Sequence, residues 1–159
     1  KGTLYFYSNT VITSAAQSDH YFTTFFQLDT DDQIADIRNN IFYSTGDAHL
    51  TWGFEKGIIR LGTNWVSSGI LPGRKEFTGK IEYLSGKEAN VFGHDPLFAD
   101  PTKWNLCLAA NSPNRAAGQP LADAVSPGFI PMEQYRPHQG TVARPRHGKG
   151  DDLGALSCD

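Results

Sequence analysis

This chain carries a repeat registered on asparagine. The segments "LYFYSNTVI", "ADIRNNIFY" and "IRLGTNWVS" align on Asn9, Asn40 and Asn64, at intervals of 31 and 24 residues. A polar insertion, "SAAQSD", accounts for the longer interval. Three and five positions before each Asn stand Phe6 and Leu4, Ile37 and Ala35, Leu61 and Ile59. Two and four positions before it stand Tyr7 and Tyr5, Arg38 and Asp36, Gly62 and Arg60. That is a period of two, apolar on one side and mostly polar on the other, three times in register. Two positions after each Asn comes Val11, Phe42 or Val66, again apolar.

A strand, a sharp bend and a second short strand form the unit of a β-solenoid. One such coil cannot bury its own inner face; stacked coils can, and they hydrogen-bond to one another as parallel strands. Asn suits the bend because it tolerates the left-handed region and bonds to backbone. Phe6, Ile37 and Leu61 are therefore expected in one buried column. About three rungs are expected in residues 1–70, and a loop-rich cap and extension in 71–159, all one domain.

The totals agree. The 159 residues allow one domain with a core, and 16 Gly and 9 Pro favour short elements over long helices. A net charge of −3 suggests neither nucleic acid nor an anionic membrane as partner. No apolar run reaches the roughly 18–20 residues that span a bilayer. The sequence opens on Lys1 and enters strand pattern at once. It reads as a piece of something longer, with upstream rungs of the same protein as its neighbours.

The motif "RNNIFYS" resembles the rung signature of right-handed parallel β-helix proteins, the pectate-lyase-like superfamily. "DPLFAD" with "NLCLAANSPNRAAG" resembles the segment that follows the last rungs in many secreted bacterial members, and "RHGKGDDLGALSCD" resembles their usual ending. The resemblance implies an all-β, right-handed parallel β-helix, extracellular or periplasmic, whose partners are acidic polysaccharide or other envelope proteins. The function expected from it is a module that binds polysaccharide or packs in a surface assembly; the alternatives are the C-terminal part of a polysaccharide lyase or glycoside hydrolase with most of its active site upstream, and a purely structural subunit of a surface assembly. It also implies that Leu97, Phe98, Leu106 and Leu108 form the buried side of a cap that protects the sheet edge. In a secreted chain, Cys107 and Cys158 are expected to form a disulfide rather than two separate thiols.

Candidate binding residues follow from strand parity. Tyr5, Asp36 and Arg60 should form one outward column, with Tyr7 and Arg38 beside it. Arg can meet a sugar carboxylate and Tyr can stack on the ring. Tyr5, Tyr7 or Lys56 is the candidate base for lyase chemistry. Trp52, in the Gly-punctuated run "HLTWGFEKG" with His49, is a candidate sugar platform. Asp29, Asp31 and Asp32 could supply oxygens to Ca²⁺, although the run lacks EF-hand spacing. Arg144, Arg146, His147 and Lys149 read as a flexible basic loop. His20, His94 and His138 are scattered and read as surface residues.

Overall fold

A computed structural model describes residues 1–17, 22–136, 138–146 and 150–158. The repeat folds as a parallel β-solenoid of about three turns. Each turn has three strands where the sequence pattern showed two. The first coil is β1 (Gly2–Tyr7), β2 (Thr10–Thr13) and β3 (Phe22–Leu28). The second is β4 (Gln33–Arg38), β5 (Ile41–Ser44) and β6 (His49–Glu55). The third is β7 (Ile58–Leu61), β8 (Trp65–Ser67) and β9 (Leu71–Gly73). Stacking continues past residue 70, because β10 (Lys80–Tyr83) and β11 (Val91–Gly93) lie on β7 and β8. The sheets run β1-β4-β7-β10, β2-β5-β8-β11 and β3-β6-β9.

The register is the one the alternation dictates. Phe6 pairs with Ile37 and Ile37 with Leu61, while Leu4 pairs with Ala35 and Ala35 with Ile59. Val11, Phe42 and Val66 form the matching column on the second sheet. Ala35, Ile37, Phe42, Ile59, Leu61 and Val66 are almost wholly buried. The third sheet adds Phe26, Leu28 and Trp52 to this core. Phe42 is its aromatic hub, with ring centroids 4.7 Å from Phe25 and 5.0 Å from Trp52.

At the bend, the asparagines form a directed ladder. The backbone N–H of Asn9 donates to Asn40 Oδ1 at 2.9 Å, and that of Asn40 donates to Asn64 Oδ1 at 3.0 Å. Asn64 Nδ2 donates to a fourth member, Asn90, at 3.2 Å. The side-chain amides of Asn40 and Asn64 also satisfy carbonyls of their own and the preceding coil. The left-handed position is the residue before the ladder Asn, at Ser8 (φ 53°) and Asn39 (φ 57°). The ladder side chains serve the coil as hydrogen-bond bridges, so tolerance of positive φ is not what selects Asn there.

The C-terminal region lies against the flank of the solenoid. β12 (Phe98–Asp100) and β13 (Asn105–Leu108) form an antiparallel pair. Phe98 and Leu108 pack with Ile41, Trp65 and Leu153 into a second core on the outer side of the β2-β5-β8-β11 sheet. The expected edge protection is thus corrected. The segment covers a sheet face because Ile12, Ile41, Tyr43 and Trp65 make that outer face apolar. The first-coil strands β1, β2 and β3 each sit at a sheet edge, with no strand beyond them among the described residues.

The disulfide between Cys107 and Cys158 is present, with Cα atoms 5.7 Å apart. β14 (Glu133–Arg136) and β15 (Gly140–Ala143) form a last hairpin. Gln134 fixes it to the tail by accepting from Ser157 N (2.7 Å) and donating to Ser157 O (2.9 Å). Arg144 is buried, where its guanidinium donates to the carbonyls of Ala155, Asp152 and Gly154 at 2.6–3.2 Å. Burial lowers its pKa, against the pull of Asp151 and Asp152. Arg144 is therefore a pin for the last turn of chain rather than part of a flexible basic loop. Arg146 is separate from it and reaches Pro131 O and Met132 Sδ. His147 and Lys149 lie outside the described residues, as does His20.

Candidate functional site

Parity on β1, β4 and β7 brings Tyr5, Asp36 and Arg60 into one row across the first sheet, and β10 adds Glu82 to it. Tyr7 and Arg38 are paired in the adjacent row. The predicted residues are thus brought together, but they are not an open face. Asp36 is only 6 % exposed. Its carboxylate accepts from Arg38 Nε at 2.6 Å and Nη2 at 2.9 Å, a bidentate pair within one strand. Gly62 makes room for it, since a Cβ there would lie 2.9 Å from Arg38 Cγ. Arg38 Nη1 donates onward to Pro120 O at 3.2 Å.

Pro120 belongs to a strap that crosses this end of the sheet. Asn39 Nδ2 donates to Gln119 O at 2.7 Å, Gln119 N donates back to Asn39 Oδ1 at 2.9 Å, and Tyr7 Oη donates to Phe129 O at 2.7 Å. The expected exposure of Asp36 and Arg38 is corrected accordingly: the strap and the ion pair cover them. Arg60 does not meet Asp36. Its Nε donates to Glu82 at 3.0 Å, and Lys80 Nζ donates to the other oxygen of Glu82 at 2.8 Å. Lys80 first, and then Arg60, hold the Glu82 carboxyl below its usual range. Both arginines expected to bind a sugar acid are already engaged by carboxylates of the same chain.

Asp36 and Arg38 therefore act as a structural pair. Removing Arg38 leaves a nearly buried carboxylate without its charged donor, and Arg38→Ala should destabilise by about 2 kcal/mol. Arg60→Ala, on the solvated Glu82 pair, should leave the urea midpoint unchanged. Equal midpoint shifts for the two variants would contradict the assignment.

Trp52 is corrected from sugar platform to core residue. It is 2 % exposed and packs edge-on to Phe42. The Gly beside it, Gly53, is a strand position where a Cβ would lie 2.5 Å from the Phe77 ring. Lys56 is 4.0 Å from Asp31, on the turn before β7. Tyr7, another of the three candidate bases, is bonded to the strap. Asp29 accepts from Gln27 and Asp32 from Thr30 Oγ1. Among the described residues no three His, Cys, Asp or Glu side chains gather to hold a metal. His49 lies beside Phe22, ring centroids 5.5 Å apart, with its Nε2 3.3 Å from Gln17 Nε2.

The strap escaped the sequence reading, since it has no hydrophobic period. The first coil, expected to have upstream rungs as its neighbours, is an open end of the solenoid. Leu4 is 49 % exposed there, and Phe22 is exposed as well. Phe6 and Val11 are only half-buried, whereas their column partners Ile37 and Phe42 are sealed. Asn9 Oδ1 accepts from nothing among the described residues, although Asn40 and Asn64 each accept from the coil before.

Comparisons with protein families, with curated proteins and with solved structures found no match to this chain. Among the described residues, no helix is long and apolar enough to cross a membrane.

Proposed function

We propose that this molecule is a β-solenoid module of an extracytoplasmic assembly, packing through its open first coil against a further parallel coil. The observation that carries the reading is the acceptor of Asn9, unfilled among the described residues, at the end of a ladder whose direction is set three times over. A coil running parallel to the first, with an amide at its bend, donates to Asn9 Oδ1 and covers Leu4, Phe6 and Val11. Open strand edges recruit strands. The disulfide suits an oxidising compartment, and the likeness to the right-handed, pectate-lyase-like β-helices supports the same placement. Packing is better supported than polysaccharide binding by the Tyr5–Arg60 row, because Asp36, Glu82 and the strap occupy the groups that would bind.

Hydrogen exchange tests this. Backbone amides of β1 and β2 that face away from β4 and β5 should exchange at least about tenfold more slowly in the protein as isolated from its source than in the 159-residue chain made alone. Leu4→Lys in the native protein should abolish that protection and leave β5 and β8 protected. Equal exchange of β1 in the two preparations would overturn the proposal.

A further inference from the structure

The solenoid has a second open end, at its last coil. β10 and β11 sit at sheet edges with no strand beyond them among the described residues. The inward columns run out there. Tyr83 continues the column of Phe6, Ile37 and Leu61, and Phe92 continues that of Val11, Phe42 and Val66. Leu61 and Val66 are sealed, but Tyr83 and Phe92 are 36 % and 39 % exposed. Ile81 is half-buried, although it pairs with the fully buried Ile59. The third sheet stops one strand short, at β9, and leaves about 280 Å³ bounded by Trp52, Ile70, Tyr83 and Phe92. A repeat array that ends in water needs a polar outer face on its terminal coil. This end is apolar instead.

The asparagine ladder marks the same end independently. Asn9 Nδ2 donates to Asn40 Oδ1, Asn40 Nδ2 to Asn64 Oδ1, and Asn64 Nδ2 to Asn90 Oδ1. Asn90 is only 5 % exposed, and its own Nδ2 is buried with no partner among the described residues. A buried donor left unmet is costly, and such groups are rare. The ladder therefore starts at an acceptor without a donor, on Asn9, and stops at a donor without an acceptor, on Asn90.

From this we infer that the partner of the open first coil is the last coil of a second copy of this chain, so that molecules stack head to tail. The inference rests on the first-coil packing proposed above and names its partner. One further step of the repeat's own register sets Asn9 of the copy against Asn90, Leu4 against Ile81, Phe6 against Tyr83 and Val11 against Phe92. Asn90 Nδ2 then donates to Asn9 Oδ1, and one bond satisfies both ends of the ladder. Tyr5 falls beside Glu82 and Thr3 beside Lys80, so no charge meets a like charge. Side chains of the incoming coil close the gap beyond β9. The two faces differ, so the contact is heterologous. Each addition leaves one face of each kind open, and the product is an open filament rather than a closed dimer.

Sedimentation of the disulfide-intact 159-residue chain tests this. The chain should be monomeric when dilute, the state used for the exchange comparison above. Its weight-average mass should rise with concentration and pass the dimer without a plateau. Leu4→Lys blocks the first-coil face and Phe92→Lys the last-coil face. Each variant alone should lose the association. An equimolar mixture of the two should form a dimer and stop there, because each supplies the face that the other lacks. The register is read separately: Tyr5→Cys and Glu82→Cys chains, mixed under mild oxidation, should cross-link to each other and neither to itself. A wild-type plateau at the dimer, association of either lysine variant alone, or equal cross-linking of Tyr5→Cys to itself would overturn head-to-tail stacking. A wild type that stays monomeric at every concentration, with β1 still protected in the native protein, would leave the first-coil packing standing and overturn the second copy as its partner.

Discussion

Asn64→Ala should destabilise the chain by about 4 kcal/mol, measured as the urea midpoint of the oxidised protein at constant m-value. Asn64 is fully buried. Its Oδ1 accepts from both Asn40 N and Asn40 Nδ2, and its Nδ2 donates to Ile37 O, Gly62 O and Asn90 Oδ1. Truncation strands several buried polar groups at once, each worth roughly 1–3 kcal/mol when left unmet, with partial relaxation. The ladder predicts a gradient. Asn9, half-buried and bonded to one neighbouring coil, should cost about 1 kcal/mol when truncated. A loss at Asn64 no larger than at Asn9 would show that the ladder is incidental to coil stacking. Asn64→Asp sharpens the result, because it keeps the acceptor, removes the donors and adds a buried charge.

The second large effect is expected from the disulfide. Replacing Cys107 and Cys158 together with Ser should destabilise by about 4 kcal/mol in the loop-closure picture, given the sequence separation of 51. The loss should appear equally on adding reductant to the wild type and be absent on adding it to the double variant. It should also be local in origin. The tail that Cys158 anchors supplies Leu153 to the flank core, and Ala155 N donates to Thr10 Oγ1 at 3.0 Å. Faster exchange should therefore begin at residues 150–158 and around β12 and β13, with β4, β5 and β7 last to open. Simultaneous opening of all strands, with no change in midpoint, would count against this.

The parts of the fold that were legible in the sequence are those where one residue's side chain has one job. Phe6, Ile37 and Leu61 face inward in a strict period of two, so the coil and its register could be read from them. Asn90 was missed for a definable reason. Tyr83 pairs with Leu61, yet Asn90 follows Tyr83 by seven positions where Asn64 follows Leu61 by three. The intervening chain contains the 3-10 turn Lys87–Ala89. That insertion breaks the spacing on which the alignment depended, and with β10 unseen, Glu82 could not be offered as the partner of Arg60. Trp52 was misplaced because Gly53 and Gly57 look like loop punctuation. Gly53 is instead a strand position that admits the Phe77 ring. The outward row was identified correctly by residue, but its openness was not. Whether a face is free depends on what a distant segment does, and the strap at residues 119–131 has no pattern that marks where it lies.

The Cys107–Cys158 bond also makes one closed covalent circuit of the chain from 107 to 158. The strap, with Phe129 exposed on it, lies wholly inside that circuit. A protease that cuts once within the strap would open the circuit without releasing a fragment. The solenoid and its C-terminal tail would stay joined, and the cut would be invisible by size until the thiols were reduced. Such a nick would free Pro120 and Phe129 from Arg38 and Tyr7, uncovering the row they now shield while the rest of the molecule held together.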